Sequence, residues 1–164
     1  PLAVTGFAQL AFPNQANGSI IVIDGKVYGS ELIGQQFDDP RYFWGRTSAA
    51  RYNAAASSGS NYGPMNPALL KAVQARIDAL KAADPDNPLL IPVDLVTASG
   101  SGLDPDISPA GATVQLKRIA AIRKIDEQKI TELIKKHTEG PLAGMLGPSK
   151  VNVLKLNVAL DEIK

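Results

Sequence analysis

From Asn53 to Asn61 the chain is built only from Asn, Ala, Ser and Gly, and this run lies inside a longer stretch, 37–65, with neither helical nor strand periodicity. Residues this small carry almost no apolar surface, so the run cannot supply a core of its own. Structureless loops of that length are uncommon in a compact domain unless they work as a binding surface. Regular structure is thereby confined to the two flanks. The stretch is also chemically uneven: six of the nine aromatic residues fall between Phe37 and Tyr62, and no acid lies between Asp39 and Asp78.

On the N-terminal flank, "SIIVIDGKVYGSELIG" reads as a β-hairpin. Two runs rich in β-branched residues enclose Asp24-Gly25, a dipeptide suited to the positive φ angles of a tight turn. On the other flank a helix starts at Asn66-Pro67, where Asn can cap and Pro fits the first helical position. Leu69, Val73, Ile77 and Leu80 then share one face, and Pro85 and Pro88 stop the helix. "LLIPVDLVTAS" reads as a short strand, with Pro92 placing it at an edge or near the strand's beginning. Ser108-Pro109 opens a second helix running to about Lys124, and Asp126 caps a third that places Ile130, Leu133, Ile134 and His137 on one side and ends at Gly140. "VNVLKLNVALDEI" alternates and reads as a closing strand. The fold class expected is a single α/β domain: a small mixed or largely antiparallel sheet packed by about three helices.

A chain of 164 residues with 45% hydrophobic and 20% charged residues can bury one core. Its net charge of +1 argues against nucleic acid, whose phosphates call for a basic surplus. With no cysteine there is no disulfide, no thiolate nucleophile and no thiolate metal site. The opening "PLAVTGFAQLAF" is apolar, and Asp24 is the first charged side chain. Twelve such residues fall short of the ~20 that span a bilayer, and they read either as a helix or strand packed on the core or as the trailing end of a membrane helix. The second reading divides the chain into a membrane-anchor end, 1–12, and a soluble domain, 13–164.

His137 is the only histidine, so a histidine metal site has no second ligand of its kind, and no metal is expected. At a helix end its imidazolium form suits the dipole and the last carbonyls. Ser99 or Ser101, with His137 and one of Asp94, Asp104 and Asp106, could form a serine hydrolase triad, but the strained G-x-S-x-G elbow is missing. The phosphate-cradling GxxxxGK[ST] loop is unmatched. That leaves the aromatic stretch. Arg41, Tyr42, Phe43, Trp44, Arg46, Arg51, Tyr52, Asn53 and Tyr62 have the composition of a protein–protein hot spot. On composition alone, a loop folded over its own core with Trp44 filling a gap stands equal to that interface, and a ligand-binding module using the aromatic loop is a further alternative.

Four long segments, "GSELIGQQFDDPRYFWGRTSA", "YNAAASSGSNYGPMNPAL", "IPVDLVTASGSGLDPDISPAGA" and "HTEGPLAGMLGPSKVNVLKLNVAL", resemble, in order, the C-subunit family of the Kdp potassium-transporting P-type ATPases. The resemblance runs from about Val4 to Leu160. It implies a single-pass cell-membrane protein, anchored by an N-terminal helix, with its soluble domain on the extracytoplasmic side. It implies two partners, a channel-like potassium-binding subunit and a P-type ATPase subunit that carries the ATP chemistry. It implies a non-catalytic accessory role in assembly, with no intrinsic cofactor and an effect on the pump's affinity for ATP to which no residue here is assigned. The small-residue run at 53–61 would then let a partner's backbone approach closely.

Overall fold

A computed structural model describes residues 1–163. The chain is a mixed α/β fold with two small antiparallel sheets instead of one. The first is the expected hairpin, β1 (Ile20–Ile23) and β2 (Lys26–Ser30), with a bulge between Ile21 and Val22. Its turn works as the dipeptide demands: Asp24 and Gly25 adopt φ values of 50° and 75°. Before it lie α1 (Leu2–Ala11) and a single turn, α2 (Pro13–Ala16). No residue of α1 is buried, and Leu2, Val4, Phe7 and Leu10 all face outward. Among the described residues no helix is long and apolar enough to cross a membrane.

No helix or strand forms between Ser30 and Pro67. The helix α3 (Pro67–Ala83) then starts as the sequence predicts, with Asn66 accepting a hydrogen bond from the Ala68 amide at 2.9 Å. The expected strand after it is absent. Pro92 caps one helical turn, α4 (Val93–Val96), which drives Leu95 into the core, and only Ala98 pairs, in parallel, with Thr47. The local reason is Asp94. Its carboxylate accepts from the Ser108 amide at 2.6 Å and from the Ser108 hydroxyl at 3.1 Å, tying this turn to the next helix start.

Ser108 caps as expected, but the helix comes in two pieces, α5 (Pro109–Thr113) and α6 (Leu116–Arg123), closed by Lys124 in the left-handed conformation. The break falls at Gln115, whose side chain is committed elsewhere. Asp126 caps α7 (Glu127–Lys136), which buries Ile130 and Ile134. It stops at His137, before Gly140, because Thr138 and Glu139 join a sheet. That second sheet has the order β3 (Asp106–Ile107), β5 (Lys150–Asn152), β4 (Thr138–Glu139).

The closing strand is three residues long, and the rest is helix: Asn152 accepts from the Lys155 amide and starts α8 (Val153–Asp161). Val153, Leu154, Leu156, Asn157, Val158 and Leu160 are all buried. A helix apolar on nearly every side has no face to reveal its period, which is why its run passed for strand alternation. It fills the centre of a core that also takes Phe43, Leu95, Ile119, Ile130 and Val151.

Candidate functional site

The aromatic stretch enters the molecule instead of lying on it. Phe43 is fully buried and Trp44 is 7% exposed. Both are held by side-chain amides that serve as a one-residue strand partner. The Phe43 amide donates to Asn157 Oδ1 at 2.8 Å, and Asn157 Nδ2 donates back to the Phe43 carbonyl at 3.0 Å. The Trp44 amide donates to Gln115 Oε1 at 2.8 Å, and Gln115 Nε2 donates to the carbonyls of Trp44 and Gly111. A loop driven into a core must satisfy its own backbone polar groups there, and these two amides do so for two consecutive residues.

The Trp44 ring also takes two guanidinium groups, Arg76 at 5.2 Å and Arg118 at 5.0 Å from its centroid, and its indole N–H donates to the Asp39 carbonyl at 2.9 Å. Arg118 donates to the carbonyls of Pro40 and Tyr42 and to Gln115 Oε1, and burial pulls it down to about 10. Arg76 donates to the carbonyls of Leu95 and Gly45 and is likewise lowered by burial. Neither has an ion pair among the described residues. Carbonyl oxygens and the π face of Trp44 stand in for carboxylates, leaving both arginines charged at neutral pH.

These positions correct the expectation that Phe43 and Trp44 are surface anchors. Three more of the proposed interface residues are engaged internally. Tyr42 donates to Asp161 at 3.0 Å, Arg46 pairs with Asp104 at 2.9 Å, and the Tyr52 hydroxyl donates to the Arg46 carbonyl. Arg41 is exposed beside Asp39, whose carboxyl the Arg41 hydrogen bonds hold down at about 2. Arg51, Asn53 and Tyr62 also face outward. Sequence reasoning missed Gln115, Asn157, Arg76 and Arg118. The available signal was a polar side chain inside an otherwise apolar helical run, clearest for Asn157 in "VLKLNVAL".

The small-residue run meets backbone, and the backbone is the chain's own. The Ser58 amide donates to the Ser101 carbonyl at 2.8 Å, and the Ser57 hydroxyl reaches the same oxygen at 3.0 Å. At Gly59 a Cβ would come within 2.8 Å of the Gly100 carbonyl oxygen, and at Gly102 within 2.5 Å of that of Ser58. The two loops lie too close for side chains between them.

Ser99 is buried and its hydroxyl accepts from the Gly102 amide at 2.8 Å, while the Ser101 hydroxyl accepts from the Leu103 amide at 3.1 Å. Neither is hydrogen-bonded to His137, which closes α7 through its backbone amide to Leu133. The serines act as turn formers. His137 is half-buried, and burial, then Lys136 and Lys155, push its pKa down, so the neutral ring is favoured over the imidazolium expected at a helix end. Among the described residues no three His, Cys, Asp or Glu side chains are grouped to hold a metal. A polar hollow of about 150 Å³ lies between Arg46, Arg76, Gln35 and Tyr52. It is small beside the ~300–1,000 Å³ usual for organic ligands.

Comparison with known proteins agrees with the chain's wording. Residues 1–162 match the family described as KdpC, the K+-transporting ATPase c chain. The potassium-transporting ATPase KdpC subunit of Herpetosiphon aurantiacus is 63% identical over all of this chain and 86% of its own length. Those of Polaromonas naphthalenivorans and Methylococcus capsulatus are each 60% identical over all of this chain, covering 85% and 88% of their own lengths. The chain belongs to the KdpC family, the c chains of potassium-transporting ATPases.

Proposed function

We propose that the chain is a non-catalytic accessory subunit of an ATP-driven potassium uptake pump, and that it supports assembly of the pump through protein contacts. The observation that carries this is the family match across residues 1–162. The geometry is in keeping with it: the hydroxyls and the imidazole that chemistry would need are spent on turns and a helix end. In this reading the channel-like potassium-binding subunit and the P-type ATPase subunit are its partners, and the ATPase subunit performs ATP hydrolysis and carries the phosphorylated aspartate. The exposed apolar face of α1 continues into a single membrane anchor, which sets residues 13–164 on the extracytoplasmic side. Any effect on the pump's affinity for ATP is exerted through the partners, not by a nucleotide held here.

Two arms test it. The purified chain is expected to show no ATP hydrolysis and no acid-stable phosphoenzyme above a buffer blank, since the sequence has no GxxxxGK[ST] loop and the Ser99 and Ser101 hydroxyls are spent on turns. Removing the subunit from the pump lowers the yield of intact complex. Phosphate release that tracks the folded chain through repurification would overturn the non-catalytic reading, and a complex that assembles equally well without the subunit would overturn the assembly role.

A further inference from the structure

Residues 35–37, residues 45–52 and the middle of α3 enclose the polar hollow of about 150 Å³. Two of the side chains in its wall are guanidiniums, Arg46 and Arg76, and none is a carboxylate. A water's share of liquid volume is ~30 Å³, so the hollow has room for about five waters or for one small ion.

Both guanidiniums reach the hollow incompletely satisfied. Arg46 donates through Nη1 to Asp104 at 2.9 Å and stands 3.5 Å from the Ala98 carbonyl through Nη2, while its Nε is buried without an acceptor. Arg76 lies over the Trp44 ring and donates through Nε to the Leu95 carbonyl at 3.1 Å and through Nη2 to the Gly45 carbonyl at 2.8 Å. Its Nη1 donates to no described residue, yet it is not sealed from solvent. Burial lowers the Arg76 pKa, and Tyr52 and Asp38 oppose this only in part. Asp38 is outside ion-pair range, and its carboxylate already accepts from Gln36 at 2.8 Å.

The wall selects the ligand. A cation is repelled by both guanidiniums. A neutral polyol calls for spare hydroxyl and amide donors, but these are largely spent. Ser48 donates to the Gly102 carbonyl at 2.6 Å, Tyr52 to the Arg46 carbonyl, and Gln35 Nε2 to the Tyr28 carbonyl at 2.8 Å. The charged donor left over is Arg76 Nη1, and a guanidinium N–H makes its strongest hydrogen bonds to an oxyanion.

We propose that this hollow is a binding site for one small oxyanion, a carboxylate or an inorganic phosphate or sulfate. Arg76 holds it, and Arg46 supplies the second positive charge. The ion gives Arg76 the charged acceptor that its two carbonyl partners replace only in part. Because Arg46 belongs to the long loop and Arg76 to α3, the ion also braces one against the other. The site stands whether or not the chain supports pump assembly.

The test titrates inorganic phosphate, sulfate, acetate and chloride, at matched ionic strength, into the full 164-residue chain while NMR follows its six arginine Nε–H resonances. With an oxyanion, the Arg76 and Arg46 resonances should shift and saturate with a Kd of about 1–10 mM. Chloride should leave them in place, and exposed Arg51 is the internal control. Saturation by acetate alone assigns a carboxylate, and saturation by phosphate or sulfate alone assigns a tetrahedral anion. Shifts that never saturate, that appear equally at Arg51, or that chloride reproduces mean an adventitious ion only and overturn the proposal. Arg76→Lys keeps the charge but loses the planar fork, and should weaken binding about tenfold or more. Parent-level binding in the folded variant would remove Arg76 as the holder and overturn the site. If the variant unfolds, the titration of the parent chain decides alone.

Discussion

Trp44→Ala lowers the stability of the isolated chain by about 3–5 kcal/mol, the usual cost of emptying a buried aromatic site. For a chain of this size that is a fall of roughly 6–20 °C in the melting temperature. The ring is the common surface on which Arg76 and Arg118 rest, 5.2 and 5.0 Å from its centre, and its N–H is a hydrogen-bond partner of the Asp39 carbonyl. Removing it opens a cavity and leaves the buried Arg118 and the half-buried Arg76 guanidinium groups without their π partner. Collapse around the cavity is limited because the neighbouring backbone is pinned to Gln115 and Asn157. The interface reading of the same residue expects the opposite pattern, a nearly unchanged melt with weakened assembly. Urea and thermal melts of Trp44→Ala decide between them, and an unchanged melt would return the ring to the surface.

Gly102→Ala is expected to cost about 2–5 kcal/mol, combining roughly 1–2 kcal/mol for a left-handed Ala with about 1–3 kcal/mol for crowding. Gly102 sits at φ 68°, and a Cβ there would meet the Ser58 carbonyl oxygen at 2.5 Å and the Ala50 Cβ at 2.8 Å. Neither can step aside without parting the two loops. Gly63→Ala is the control, since nothing lies within 4 Å of a Cβ at that position. Equal melts for the two variants would mean that the small-residue run does not pack against 99–103.

What could be read from sequence was local chemistry with one outcome. Asp24-Gly25 has few alternatives to a tight turn, and Asn66-Pro67, Ser108-Pro109 and Asp126 each cap as their side chains require. What could not be read depended on partners distant along the chain. The α8 run lacks a polar face to show its period, and the turn at 93–96 is held by Asp94 to the distant Ser108, so the form of each is decided by what surrounds it. Trp44 looked like an anchor because the amides and guanidiniums that receive it lie 32 or more positions away, in Arg76, Gln115 and Arg118. The small-residue run was rightly read as permitting close backbone approach, but the backbone is that of Gly100, Ser101 and Gly102.

Hydrogen–deuterium exchange, followed in the isolated chain and again within the purified pump, tests most directly which surfaces face inward and which face a partner. The amides of Phe43 and Trp44 are hydrogen-bonded to buried side chains, so segment 41–47 should exchange slowly in both states, through global opening alone. Fast exchange at 41–47 in the isolated chain, with protection appearing there only in the pump, would contradict the account and return the interface to the aromatic stretch.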